Sequence, residues 1–320
     1  MKIVTFRNGT PAVRTGALVN EQVIDLNRAD QHIPPDLLSL IESGQQGLDA
    51  VRQIISGVEA VRADAIHELA DVRLVAPWPG KRIAMAGGNY GRHLLGALKG
   101  GPRPDSMTLE QAIDEIRSEP PWGFWKTLDW VTSPGDQLLY PRRTRHLDYE
   151  GEAAIVFAKP GKDIKSGQIN DYIWGITLLN DWSDRDDSTA PRPMSYNLHK
   201  NFDGSVTIGP CIVVDELDPQ DIDVETRVNS EIRQQYNTKE MVYSFGEYAE
   251  ALTRDLTLAA GDILSGGTGA GTAMDIVGVD HKDDPESARW FVKPGDVVEV
   301  SSPQIGAFSN QVIDGSRTPA

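Results

Sequence analysis

The stretch His146 to Phe157 reads H-L-D-Y-E-G-E-A-A-I-V-F. Ala153, Ile155 and Phe157 alternate with small or aliphatic neighbours, which is the pattern of a β-strand. Side chains two residues apart on a strand share a face. Asp148, Glu150 and Glu152 are therefore expected to point the same way, and three like charges at that spacing repel one another. A solvated edge strand tolerates such a row. The other reading is a divalent cation held against Glu150 and Glu152, because hard cations take carboxylate oxygens. That second reading needs a third ligand from elsewhere in the chain.

Asp181 is the candidate. It lies in Y-I-W-G-I-T-L-L-N-D-W-S-D-R-D-D, from Tyr172 to Asp187. The apolar run Ile173 to Leu179 reads as a buried strand or helix end, and Asn180-Asp181 follows where such an element would surface into a cleft. Acidic residues at strand ends are also ordinary turn formers. Asp184, Asp186 and Asp187 crowd the same turn, with Arg185 among them as a pairing partner. Further on, L-H-K-N-F-D-G-S-V-T-I-G-P carries Lys200, suited either to an anionic substrate or to solvent. G-D-I-L-S-G-G-T-G-A-G-T-A-M-D, from Gly261 to Asp275, offers backbone N–H groups with the hydroxyls of Ser265, Thr268 and Thr272, a combination that binds anions. No Lys follows the glycines, so this is not a nucleotide-binding P-loop.

Upstream, residues 1–30 read as short strands with an Asn8-Gly9 hairpin turn. Residues 35–70 change to helical spacing, with Leu37, Leu38, Leu40 and Ile41, then Leu48, Val51, Ile54 and Ile55. This predicts a small N-terminal α+β domain over 1–74, followed by a larger unit over 75–320. Pro77 to Met85 marks the boundary. Ala86 to Gly100 reads as a tight turn and a short helix carrying His93, without the G-x-G-x-x-G spacing of a dinucleotide site. About 100–122 reads as an inserted, acidic, mobile segment with one helix, either a lid or a surface decoration. Beyond Trp122 the chain is strand-rich, with helical patches expected at Asp171–Gly175 and Phe245–Thr253. The pattern suits a mixed sheet or rolled barrel better than a doubly wound sheet.

Composition sets outer bounds. The 320 residues carry a net charge of −16, with 39% hydrophobic and 24% charged residues. That balance argues against nucleic acid or anionic membrane as a partner. The single cysteine, Cys211, excludes an intramolecular disulfide. No apolar run approaches the ~20 residues of a membrane span, and the N-terminus reads as strand and turn. A cytoplasmic enzyme is the expectation.

Taken in order, these pieces resemble the fumarylacetoacetate hydrolase family. The likeness starts at P-W-P-G-K-R-I-A-M-A-G-G-N-Y-G-R-H and passes through F-W-K-T (Phe124–Thr127) and S-P-G-D (Ser133–Asp136). D-Y-E-G-E-A-A-I-V, N-D-W-S-D-R-D and K-N-F-D-G with I-G-P follow. V-N-S-E-I-R-Q-Q-Y-N-T, L-A-A-G-D-I-L-S-G-G-T-G-A-G and V-K-P-G-D-V-V-E-V-S-S-P-Q-I-G-A-F-S-N complete the set. It spans residues 75–313, and the ordered set is far more specific than any one motif.

The resemblance implies an α+β, β-rich fold: a mixed β-roll catalytic domain behind the small N-terminal domain. It implies one divalent cation per chain on Glu150, Glu152 and Asp181, Mg²⁺ first, with Mn²⁺ or Ca²⁺ as alternatives. His93 becomes the general base, and Lys200 the cation at the substrate oxygens. Tyr90, Lys126, Arg185 and Thr268 become substrate contacts. The implied substrate is a small oxo acid, the implied assembly a homodimer. The implied reaction is C–C bond hydrolysis in a 2,4-dioxo acid of acylpyruvate type. A decarboxylase, isomerase or dehydratase at the same site is one alternative, and a weakly catalytic metal- and ligand-binding protein is another.

Two departures bear on the reaction. Many family hydrolases carry a glutamate three residues after the histidine, where this chain has Gly96; Glu110, Glu115 or Glu119 replaces it if the inserted segment folds over the site, and otherwise water activation is weakened in favour of a decarboxylase, lyase, isomerase or dehydratase. Ser265 to Gly269 reads S-G-G-T-G where the family usually shows Thr-Gly-Thr-Pro, so Gly267 stands at the second threonine, with Thr268 beside it.

Overall fold

The computed structural model describes residues 1–97, 106–188 and 196–315. One sheet of eleven strands dominates. Its N-terminal part is a meander of Lys2–Arg7, Arg14–Val19, Gln22–Asp25 and Ile66–Glu68, and Arg73–Val75 also pairs with the first strand. The Asn8-Gly9 turn joins the first two strands, and Gly9 takes the left-handed φ of +77° that a side chain resists. Lys2↔Val213 and Ile3↔Ile212 connect this meander to the strand Val206–Val213. The sheet continues through Ile173–Asp181, Gly151–Phe157, Ile263–Thr268, Ile83–Ala86 and Gly123–Lys126. A five-stranded sheet, Glu231–Asn237, Asp223–Val228, Val297–Ser302, Gly306–Ile313 and Gln137–Leu139, closes over one side.

Gly151–Phe157 is buried along its whole length because each face meets a different core. Ala153, Ile155 and Phe157 pack with Tyr236, Phe245 and Phe308. Ala154 and Val156 pack with Leu40, Ile41 and Val51 from the helices Leu37–Glu42 and Gly44–Ser56. Each such aliphatic side chain contributes about 1.5–3 kcal/mol when fully buried. The N-terminal helices thus cover the sheet that carries the acidic residues. The β-rich α+β architecture with few helices is the one the resemblance implies. Among the described residues, no helix is long and apolar enough to cross a membrane.

Two local expectations need correction. The helix expected at Asp171–Gly175 is a 3₁₀ turn over Ser166–Tyr172, and the strand starts at Ile173. His146 to Phe157 is not one strand. Leu147–Asp148 pairs with Ser183–Asp184, and a new strand begins at Gly151, so Tyr149 and Glu150 form a break. The second helical patch forms as expected, over Phe245–Leu252.

Candidate active site

The break at Tyr149-Glu150 positions the acidic residues. The Tyr149 hydroxyl donates to the Gly271 carbonyl at 3.0 Å. The Glu150 N–H donates to Asn180 Oδ1 and the Asp181 N–H to the Glu150 carbonyl, both at 2.8 Å. Gly151 has no room for a side chain: a Cβ there would lie 2.1 Å from Thr226 Oγ1. The five-stranded sheet therefore closes against the break, and Gln234 Oε1 accepts from the Gly151 N–H at 3.0 Å.

Glu150, Glu152 and Asp181 converge, with one carboxylate oxygen from each lying within 4.8 Å of the others. All three are buried. Lys200 Nζ donates to Glu150 Oε2 (2.5 Å), Asp181 Oδ2 (2.9 Å) and Ser183 Oγ (2.6 Å). Arg185 spans Asp148 Oδ2 (2.9 Å) and Glu150 Oε1 (2.5 Å). Lys126 Nζ lies 2.6 Å from Asp181 Oδ1.

Four carboxylates (Asp148, Glu150, Glu152 and Asp181) thus face three cations (Lys126, Arg185 and Lys200), leaving one negative charge when all are ionised. The excess falls on Glu152. Burial, and then the charges of Asp181 and Glu150, push its carboxyl well above the usual carboxylate range. Its hydrogen bond from Ser265 Oγ opposes this. Burial also works against the charge on Glu150, but Lys200 and Arg185 outweigh it and hold that carboxyl below the usual range. A buried anionic cluster of hard oxygens with one uncompensated charge fits a divalent cation.

His93 stands in the same pocket, on the helix Gly91–Ala97. Its Nδ1 lies 2.8–2.9 Å from the two Asp275 oxygens. Asp275 Oδ2 accepts from the N–H groups of Gly271 (2.8 Å) and Thr272 (3.1 Å), so the carboxylate is fixed independently of the histidine. Burial lowers the His93 pKa, yet the charge and hydrogen bond of Asp275 outweigh it and leave it raised.

Asp275 therefore answers the question posed by Gly96. The acid comes from the helix Ala273–Val277 and not from the inserted segment, contrary to the expectation of Glu110, Glu115 or Glu119. A Cβ at Gly96 would lie 2.6 Å from Asp275 Cβ. The missing side chain is what admits the substitute carboxylate.

The second departure has a similar cause. Glu152↔Thr268 and Ala154↔Ser265 are both strand partners, so the glycine strand carries one extra residue between them. Gly267, at φ +83°, absorbs that bulge. Thr268 then lies opposite Glu152 and lines the pocket; its hydroxyl donates to the Gly151 carbonyl (3.1 Å) and accepts from Gln234 (2.7 Å).

Arg185, Lys200, His93 and Thr268 line a cavity of about 350 Å³ together with Glu150 and Glu152. Tyr90 and Lys126 are not among the described residues that line it. Lys126 is buried behind Asp181, donating to the carbonyls of Lys200 and Ser205. This geometry makes it a support for Asp181, not a substrate contact. Tyr90 is buried edge-on against Tyr236, with ring centroids 5.0 Å apart. His199, which sequence reasoning passed over, also lines the cavity. Burial, with Lys200 and Arg185 nearby, pushes it down to about 3, so it stays neutral.

In the inserted segment, residues 98–105 lie outside the described residues. Leu109–Ser118 is a helix started by a Thr108–Gln111 capping box. It packs against Gly91–Ala97: a Cβ at Gly91 would meet Leu109 at 2.9 Å and Ile113 at 3.0 Å. The Tyr243 hydroxyl donates to the Glu119 carbonyl at 2.6 Å, and Arg117 stacks on the Tyr243 ring at 4.3 Å. The helix is docked on the element that carries His93.

Comparison with known proteins finds relatives along nearly the whole chain. The chain is 30% identical over 307 residues to the oxaloacetate tautomerase YisK of Bacillus subtilis, covering 92% of this chain and 93% of that one. The fumarylacetoacetate hydrolase of the psychrophile Exiguobacterium antarcticum is 28% identical, with a TM-score of 0.76 over 98% of this chain and 99% of that one. The maleylpyruvate hydrolase of Sphingobium sp. SYK-6, solved with manganese(II) and pyruvate, shares the fold at 21% identity; its TM-score is 0.71 over 98% of this chain and 100% of that one. The family model for the fumarylacetoacetate (FAA) hydrolase C-terminal region matches residues 82–313. With that match over most of its length, the chain belongs to the fumarylacetoacetate hydrolase family.

Proposed function

We propose that this protein is a divalent-metal-dependent enzyme that interconverts the keto and enol forms of a small 2-oxo acid. The observation that carries the reading is the opening of the His93–Asp275 pair onto the same cavity as Glu150 and Glu152. Likeness to a named oxaloacetate tautomerase along nearly the whole of both chains supports this reaction over others at such a site. A divalent cation held by Glu150, Glu152 and Asp181, Mg²⁺ or Mn²⁺, would fix two adjacent substrate oxygens and polarise the carbonyl.

The chain's own residues do the rest. Asp275 engages Nδ1 of His93, which leaves Nε2 as the nitrogen that faces substrate. The neutral imidazole takes a proton from the carbon beside the carbonyl, and the imidazolium delivers it to the carbonyl oxygen to give the enol; ketonisation runs the same transfers in reverse. Asp275 stabilises that imidazolium and fixes the ring's tautomer. Lys200 and Arg185 stabilise the negative charge that develops on the substrate oxygen. Thr268 lines the cavity with its hydroxyl already held by Gly151 and Gln234, so it shapes the site beside Glu152.

Hydrolysis of a C–C bond in a 2,4-dioxo acid is the second reading. Asp275 favours it, because a histidine backed by a carboxylate can activate water as well as a C–H bond. The test follows the ultraviolet decay of enol-oxaloacetate with Mg²⁺, with EDTA, and with His93→Ala. Acceleration that needs both metal and His93 is expected. No acceleration, together with ¹⁸O from solvent water entering the carboxylate product of an acylpyruvate, would replace tautomerisation with hydrolysis.

A further inference from the structure

Asn89 opens the turn that leads to His93 and takes no part in the chemistry above. It is 1% exposed. Its Oδ1 accepts from the Tyr243 N–H at 2.8 Å, and its NH₂ donates to the carbonyls of Tyr243 (2.9 Å) and Gly266 (3.1 Å). These partners fix the amide's orientation, because a flipped amide would set its NH₂ against an N–H and its oxygen against two carbonyls. The Asn89 carbonyl accepts from the Val242 N–H at 2.9 Å, and Tyr90 forms a bridge to Met241. Asn89 thus pairs with Tyr243 as a neighbouring strand would, and takes Gly266 as a further partner. Gly266 belongs to the strand Ile263–Thr268, whose Thr268 lies opposite Glu152. On the other side of Asn89 the helix Gly91–Ala97 begins at once. The Leu94 N–H donates to the Tyr90 carbonyl at 3.0 Å, so His93 sits in the first turn.

We propose that Asn89 is a positioning residue for His93, tying the start of the base's helix to the strand beside the acidic site. The inference rests on His93 being the base, as proposed above. A helix of seven residues is too short to be stable alone, so what holds its two ends sets its direction. Gly96 fixes the far end by its close approach to Asp275, and Asn89 fixes the near end. His93, between them, has to keep Nδ1 on Asp275 while Nε2 faces the cavity. Without the amide, the buried N–H and carbonyl of Tyr243 and the Gly266 carbonyl lose the partner that pairs them, which is costly. The turn relieves this by moving, and His93 moves with it. A displacement of about 1 Å costs about 10²-fold in rate. The acidic triad does not share this dependence, because Lys200, Arg185 and the Ser265 hydroxyl hold it.

The test compares Asn89→Ala with Asn89→Asp, which keeps the size and the acceptor for the Tyr243 N–H but loses the donors; it serves alone if the alanine variant does not fold. Turnover of enol-oxaloacetate with Mg²⁺ is measured beside the affinity for oxamate, an unreactive chelating mimic of a 2-oxo acid. Either variant is expected to lose about tenfold or more in kcat, with oxamate affinity changed by less than about threefold. In a His93→Ala background the same substitution should change the residual rate by less than about twofold, because the two residues act as one unit. An unchanged kcat, an oxamate affinity that falls with kcat, or the full loss repeated without His93 overturns the inference. A readout without substrate separates it from the proposed reaction: the low-field proton signal of His93 Nδ1–H on Asp275, assigned by its absence in His93→Ala. That signal should shift or broaden in the Asn89 variants. If His93→Ala keeps full turnover, the base assignment falls, and a signal unmoved in the Asn89 variants overturns the positioning role as well.

Discussion

Replacing Asp275 with Asn isolates the proton relay. The two side chains have nearly the same shape. The Gly271 and Thr272 N–H groups, at 2.8 and 3.1 Å, will hold the amide oxygen. The amide NH₂ then faces His93 Nδ1, at the 2.8 Å now spanned by the other carboxylate oxygen. Nδ1 must accept that hydrogen bond, so the ring proton moves to Nε2, the nitrogen that faces the pocket. The base is then capped by its own proton. General acid–base catalysis is worth about 10²–10⁴ in rate, so kcat is expected to fall by that factor, or about 3–5 kcal/mol.

The pH profile supplies an independent reading of the same substitution. Burial lowers the His93 pKa, but Asp275 more than reverses it, so the wild-type histidine loses its proton above its ordinary pH. Activity that needs neutral His93 rises through that pH. Without the Asp275 charge, burial and Arg185 outweigh the remaining raising influence of Glu150, so the acid limb of Asp275→Asn moves to lower pH. Oxamate affinity should change by less than about threefold, because the substitution does not touch the triad. The assay is kcat against pH for enol-oxaloacetate, with oxamate titrations alongside. Wild-type kcat, or an acid limb that stays where it was, would refute the dyad.

Gly96→Ala should lower stability by about 1–3 kcal/mol by overpacking, since its Cβ would fall 2.6 Å from Asp275 Cβ; an unchanged urea midpoint would refute the close approach. Lys126→Met should cost about 3–5 kcal/mol, because it strands a buried Asp181 oxygen and the carbonyls of Lys200 and Ser205. Lys126→Met enzyme that is as stable as wild type, yet binds oxamate poorly, would restore Lys126 as a substrate contact. Adding Mg²⁺ at 100 times its dissociation constant should stabilise the protein by about 2.7 kcal/mol, and Glu150→Ala should abolish the effect in a thermal melt. A metal-induced shift that survives Glu150→Ala would place the cation elsewhere.

What was legible in the sequence follows from how local each signal is. Glu150-x-Glu152 is a local pattern, and Asp181 closes an apolar run that needed a buried strand, so all three could be read from nearby residues. Asp275 could not. Its partner His93 is 182 positions away, and its own neighbourhood shows a Thr272-x-x-Asp275 capping box. That box is a helix-start signal, and it conceals the second task of the same carboxylate. Gly96 reads as a lost acid in the sequence, and only packing reveals it as space for another. Lys126 and Tyr90 show the converse limit: a family motif transfers residue type and order, but a lysine behind a ligand and a lysine facing substrate look alike in one dimension. The break at Tyr149-Glu150 was hidden because alternation continues through it, and only the pairing of Leu147–Asp148 with Ser183–Asp184 exposes it.

That break couples the two halves of the site. Asp148 does not face the triad as a third strand carboxylate would. Its oxygens accept from the N–H groups of Ala273 (2.8 Å) and Met274 (3.1 Å), and one also pairs with Arg185. It thereby anchors the start of the helix that carries Asp275. Four residues on, Glu152 sits opposite Thr268 on the strand that leads into the same helix. Asp148 therefore sets where the acid behind His93 stands, while Glu150 and Glu152 set where a cation would stand. Arg185, bonded to both Asp148 and Glu150, ties the two placements together. A disturbance of Asp148 should thus misplace the base and the carboxylate triad at once, although its side chain lines neither the cavity nor the triad. The repulsion expected of three like charges on one strand is offset unevenly: Asp148 has the helix start and Arg185, Glu150 has Lys200 and Arg185, and Glu152 has only the Ser265 hydroxyl among the hydrogen bonds described, which is why the strain collects on its carboxyl.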